Sequence, residues 1–189
     1  MIRSLFITLS LLISGAGFSQ KYLDKNMAEV TTTWNNAEFS SAKSVSENIA
    51  SMEELSIYTQ LMKDKQLQQI LDKEEMVTIF VIHNDAFSDL KKKQKDSLFA
   101  NKKGIEKMIT FLAIPGRVDR NGMEVAARKN KNKAQFATLN GESLIVIEEN
   151  GKLFLQDANG KRAAVIASNF YHKNGLFHII DKRLSPDRK

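Results

Sequence analysis

The sequence predicts an α+β fold, because the spacing of its apolar residues changes part-way along the chain. Val45, Ile49, Met52, Leu55, Tyr58, Leu61 and Met62 recur at steps of three and four, the period of one helical face. Val77–Ile82 is a β-branched and aromatic run too short for a typical helix, so it predicts a strand buried on both faces. From Arg120 onward short apolar runs alternate with Asn-Gly pairs, which predicts tight reversals between antiparallel strands. Helices followed by an antiparallel β region are what periodicity alone supplies.

The chain of 189 residues is the length of one domain, and 42% hydrophobic residues can build a core for it. Arg3, the apolar run 5–13 and the small residues 14–19 form a secretory signal with a cut after Ser19. The run is too short to cross a bilayer of roughly 30 Å as a helix. With no cysteine after it there is no lipid anchor, so the expectation is an exported chain, periplasmic or extracellular, with no transmembrane anchor. Zero cysteines also leave stability to packing alone.

Residues 20–43 are polar, without a sustained period, and predict an N-terminal arm that the single tryptophan, Trp34, pins to the domain. Regular structure is expected from Ser44, and Leu67, Ile70 and Leu71 continue the helical stripe to the strand at 77–82. His83, Asn84 and Asp85 break that strand. Asn84 is placed to cap a helical turn in which Ala86, Phe87 and Leu90 face inward. The run Lys91-Lys92-Lys93-Gln94-Lys95 is expected at a helix end favoured by the dipole. Ile105, Met108, Ile109 and Leu112 mark another amphipathic helix, stopped by Pro115-Gly116. In the β region the reversals fall at Asn121-Gly122, Asn140-Gly141, Asn150-Gly151 and Asn159-Gly160, and the charged stretch 128–133 is expected as a mobile loop.

A net charge of +6 permits attraction to acidic polysaccharide, anionic lipid or nucleic acid. No aromatics interleave the lysine run as single-strand binding requires, so nucleic acid is not an expected partner. The three histidines, His83, His172 and His178, fit no His-Glu-x-x-His helix, and no phosphate loop, dinucleotide fingerprint or Gly-x-Ser-x-Gly is present. The carboxylate pairs Glu53-Glu54, Glu74-Glu75 and Glu148-Glu149 are adjacent, and adjacent side chains diverge. No catalytic residue, metal site or cofactor is expected.

Residues 76–90 resemble the first signature motif of the fasciclin domain, Thr-Val-Phe-Ala-Pro-Thr-Asn-Glu-Ala-Phe. Thr78, Phe80, Asn84, Ala86 and Phe87 match, while Ile82 and His83 replace Pro and Thr. Residues 174–182 resemble the second motif, Asn-Gly-Val-Ile-His-Val-Ile-Asp-Lys, through Asn174, Gly175, His178 and Asp181. Residues 111–118 are similar to the family's Tyr-His-Val-Val-Pro-Gly-Lys-Val.

The resemblance covers residues 44–186, leaving 187–189 as a tail. It implies a wedge-shaped antiparallel β-sandwich with N-terminal helices packed against it and the two motifs close together. It also implies a structural His178, with His83 near enough to pair with it. For function it implies a non-catalytic adhesion or interaction module for cell-envelope or matrix polysaccharide or protein. Phe111 and Leu112 stand for the Tyr-His pair tied in some members to integrin-mediated adhesion, and Asn169 and Phe170 for an Asp-Ile pair with a similar role. Integrin-type recognition is therefore not expected, and the candidate interaction residues are Phe111, Leu112, Asn169, Phe170 and Tyr171. The alternative is a carrier of an apolar small molecule such as a carotenoid or lipid, in a groove beside Phe111, Leu112 and Ile114.

Overall fold

The computed structural model describes residues 28–186, so the expected signal at 1–19, the first part of the arm and the tail at 187–189 lie outside it. The arm is not without structure. Strands β1 (Thr31–Trp34) and β2 (Ala37–Ser40) form a hairpin, turned by Asn35 and Asn36 at φ 46° and 63°. Four-residue strands of mixed polarity carry too little period to reveal a hairpin in sequence. Asparagine tolerates the left-handed backbone that such a turn requires. Phe39 is fully buried against Phe170 and Phe177, with ring centroids 4.9 and 5.0 Å away.

Helix α1 (Val45–Ile49) starts at a capping box. Glu47 N–H donates to Ser44 Oγ, and Ser44 N–H donates to Glu47 Oε2. Asn48 then ties it to the hairpin, accepting from Ser40 N–H at 2.7 Å and donating to Ser40 O at 3.0 Å. Helices α2 (Ser56–Leu61) and α3 (Lys65–Lys73, capped by Asp64) carry the rest of the apolar stripe into the core through Tyr58, Leu61, Leu67 and Leu71.

All six residues of β3 (Val77–Ile82) are buried, as expected for a central strand. On one side lies β4 (Ala113–Pro115), antiparallel, and on the other β9 (Gly175–Ile180), parallel and equally buried. The remaining strands are β5 (Lys133–Ala137), β6 (Ser143–Glu149), β7 (Lys152–Gln156) and β8 (Arg162–His172), joined in the order β4-β3-β9-β8-β7-β6-β5. The first residues of β8 pair with β7 and its later ones with β9, across irregularities at 165–170 that bend the strand. The sheet therefore curls, and Leu139 N–H reaches Ala113 O at 2.9 Å near its opposite edge.

Three expectations need correction. Residues 120–129 are a helix, α6 (Arg120–Lys129), whose first turn contains Asn121-Gly122, with Gly122 N–H donating to the cap Asp119 Oδ1 at 2.6 Å. Only Met123 and Ala127 of this helix are buried, a one-turn spacing too sparse to be seen among charged neighbours. The charged stretch 128–133 is not a mobile loop. It is the last turn of α6, braced by Arg128–Glu124, then a turn at Lys131 and Asn132 into β5. Finally, the lysine run opens α4 (Lys92–Ala100) instead of closing a helix, so the macrodipole opposes it and hydration must carry it. The other three Asn-Gly pairs do make reversals, with Gly141, Gly151 and Gly160 at φ 74–82°.

Candidate functional site

Parallel pairing of β3 with β9 sets the two motifs side by side, with Val77 opposite Gly175 and Phe80 opposite His178. The pairing requires glycine at 175. A Cβ there would lie 1.9 Å from Val77 O. His178 is fully buried, with its ring stacked on Phe80 at 5.4 Å. Its Nδ1 accepts from Asn169 N–H at 3.3 Å, so Nε2 carries the proton and donates to Val118 O at 3.0 Å. Burial pushes its pKa down to about 4, with Asp119 a weaker opposing influence.

The other polar motif residues are likewise spent on backbone. Thr78 Oγ1 donates to Gly116 O and accepts from Val118 N–H, both at 2.8 Å. Asn174 donates to Leu71 O and Glu74 O, and Asp181 accepts from Ala164 N–H at 2.7 Å. Asn84 is not the expected cap. His83 takes that place, its Nδ1 accepting from Asp85 N–H at 3.2 Å at the head of a 3₁₀ turn. Asn84 instead reaches back to the start of α2. It accepts from Ile57 N–H at 3.0 Å and donates to Glu53 O at 2.7 Å and Ser56 Oγ at 3.0 Å. The turn still buries Phe87, and Arg183 lies over that ring while forming two bonds to Asp89 and one to Ala86 O. Nothing in the local sequence marked Arg183, since its partners lie more than ninety residues away.

His83 and His178 do not pair. His83 lies three positions beyond Phe80, on the opposite side of the strand line, with its ring edge-on to Trp34 at 6.3 Å. Among the described residues no cluster of His, Asp or Glu is placed to hold a metal ion. Nor is any helix among them long and apolar enough to cross a membrane.

Of the five candidate contact residues, three are inside. Phe111 and Leu112 close the end of α5 (Lys102–Phe111) and are buried in the core, so neither side chain offers a surface contact. Phe170 is sandwiched between Phe39 and Phe177. Asn169 and Tyr171 do reach the surface. Asn169 is exposed at φ 68°, and its Oδ1 accepts from Arg120 N–H at 2.8 Å. Tyr171 is half-buried, with the exposed Arg117 guanidinium 4.9 Å above its ring. Asn169 thus presents a neutral amide whose oxygen is held by the backbone of Arg120, while the Arg120 guanidinium turns to Glu124 and Gly151 O.

Comparison with known proteins agrees with this geometry. Residues 53–186 match the sequence profile of the Fasciclin domain. Protein sll1483 of Synechocystis sp. is 30% identical over 167 residues, covering 85% of this chain and 86% of that protein. Human periostin is 24% identical over 144 residues, 76% of this chain but only 16% of periostin. The structure of a FAS1 domain pair from the insect cell adhesion molecule Fasciclin I overlaps 68% of this chain and 43% of its own, at 21% identity and a TM-score of 0.53.

Proposed function

This chain belongs to the fasciclin domain family, and from that premise we propose that it is an exported, non-catalytic adhesion module. Its partner is an acidic polysaccharide or acidic protein of the cell envelope or matrix. The observation that carries the reading is the exposed Arg117 guanidinium 4.9 Å above the ring of Tyr171 on β8, in a segment that also exposes Asn169. A guanidinium over a phenol offers a planar donor set and an apolar surface, which suits a carboxylated or sulfated sugar ring. Without a carboxylate at Asn169 this face does not suit metal-bridged receptors. Fasciclin domains are generally non-catalytic, and the motif polar groups here are already engaged with backbone. Export rests on the pattern of residues 1–19, and the adhesion molecules among the similar proteins support it.

The test is binding of the full chain to immobilised acidic polysaccharide at several salt concentrations. Arg117→Ala and Tyr171→Ala are each expected to weaken binding roughly three- to ten-fold. Binding should also fall as salt rises through about 0.1 M, where the screening length is about 10 Å. Binding that ignores both salt and these substitutions would refute the assignment of this face.

A further inference from the structure

A cavity of about 290 Å³ lies between α1, α3 and the turn from β8 to β9. Its apolar wall is Val45, Met62, Leu71 and Ile79, all buried. Most polar groups around it are already committed. Gln68 donates to Met62 O, Asn174 to Leu71 O and Glu74 O, and Glu47 closes the capping box of α1. At the mouth Asp72 and Lys173 neutralise one another at 2.9 Å.

Two polar atoms are left over. Ser46 Oγ and His172 Nδ1 are buried and make no hydrogen bond within 3.5 Å among the described residues, and both residues line this cavity. The Leu176 backbone and the Asn174 side chain are the next polar groups to the imidazole after Val77. His172 is only 3% exposed. Its Nε2 faces Val77 O at 3.2 Å. A carbonyl only accepts, so Nε2 holds the ring proton and Nδ1 presents a lone pair. Burial keeps this ring neutral near pH 7. Leaving such an acceptor unpaired is costly, whereas an O–H or N–H brought to it satisfies it. The paired charges at the mouth favour no net ligand charge. The volume is roughly twice that of the ~150 Å³ engineered cavity that takes up benzene.

We propose that this cavity binds a small neutral molecule with an apolar body of one or two rings and a single hydroxyl or N–H donor, held by His172 Nδ1 and Ser46 Oγ. This is a second site, independent of the β8 face, and it differs from the groove expected beside Phe111 and Leu112.

The experiment titrates the full chain with 2-naphthol and, separately, with naphthalene at neutral pH, following backbone and imidazole resonances by NMR. The expected result is saturable binding of 2-naphthol, with shifts centred on Val45, Ile79 and His172. Naphthalene should bind about ten-fold more weakly, the effect of one missing hydrogen bond to a buried acceptor. Ser46→Ala removes a single oxygen and is expected to weaken 2-naphthol roughly three- to ten-fold while leaving the urea midpoint unchanged. Arg117→Ala should change neither titration, which separates this site from the polysaccharide face. Equal affinity for the two probes, shifts confined to other surfaces, or a crystal structure in which ordered water alone bridges Ser46 and His172 under saturating 2-naphthol would each overturn the proposal.

Discussion

Lowering the pH from 7 to 5 sets a proton demand on two imidazoles that the folded chain cannot meet. His172 and His178 are both held near pKa 4 by burial, against 6.5 for an exposed histidine. The unfolded chain therefore binds protons that the native chain refuses between those values, and stability rises with pH across the window. The contribution is fully present above pH 6.5, falls progressively below it, and is gone below about 4. At pH 5 each ring costs about 2 kcal/mol relative to pH 7, so the pair costs about 4 kcal/mol. With a urea slope of roughly 2 kcal/mol per M, the midpoint should fall by about 2 M. Glu47, whose pKa is lowered from 4.5 by the bonds from Ser44, acts in the same direction, but its contribution is lost mainly as the pH falls through that ordinary value, below the range from pH 7 to 5.

The assay is urea unfolding at half-unit steps of pH, on the parent chain and on His178→Gln. The glutamine amide can still donate to Val118 O but cannot titrate. The variant should lose about 1–3 kcal/mol at pH 7 for the unpaired Asn169 N–H. Its dependence on pH should be about half that of the parent. A parent midpoint that is flat between pH 7 and 5, or a His178→Gln chain with the full parental slope, would refute the assignment of the proton uptake to these buried rings.

The remaining predictions concern the motif backbone. Gly175→Ala drives a methyl into the backbone of Val77 and should cost about 4 kcal/mol or more, lowering Tm by roughly 8–16 °C for a chain of this size. Gly151→Ala, at φ 74° with nothing near its Cβ, should cost only about 1 kcal/mol. Similar losses for the two in thermal melts would mean that close approach of β3 and β9 is not what fixes residue 175. Asn84→Ala removes three bonds between the 3₁₀ turn and the start of α2 and should cost about 2–3 kcal/mol in urea unfolding. A loss under about 0.5 kcal/mol would show those bonds to be exchanged freely with water.

Long, uniformly buried elements were legible in the sequence because hydrophobic period and burial coincide in them. Val77–Ile82, the stripe from Val45 to Met62 and the reversals at Gly141, Gly151 and Gly160 are of this kind. What escaped were elements whose cohesion is not local. The β1–β2 hairpin is held by Phe39 against two rings more than 130 residues away, and α6 by two small contacts and a cap. Site residues divided along the same line. The motif resemblance located Thr78, Asn84, Asn174 and His178 but not their partners, which are backbone atoms of distant segments. The turn to which Asn84 bonds carries no mark in sequence that it lies nearby. Phe111, Leu112 and Phe170 were misjudged as contacts because an aromatic or aliphatic residue in a motif position reads alike whether it faces solvent or core, and only the packing of α5 and the hairpin decides.

The motif chemistry explains how the buried interior holds the outer face of this domain in place. Residues 116–120 cross from β4 to α6 outside the strand ladders; Gly116 N–H still donates to Met76 O, but other backbone groups of the crossing are met by side chains. Thr78 takes Gly116 O and Val118 N–H, His178 takes Val118 O, and Asn169 takes Arg120 N–H. The same imidazole also holds Asn169 N–H, which fixes the bend of β8. One buried ring thus clamps both segments that present the outer face, the crossing that carries Arg117 and the strand that carries Asn169 and Tyr171. The imidazole grips main-chain atoms only, so the side chains at 117 and 171 are free to change without disturbing it, whereas Asn169 is held in place by its bond from Arg120 N–H and by its left-handed backbone. On the function proposed above, contacts with a partner come from residues the motifs do not include, while the motifs fix the backbone from which those residues act.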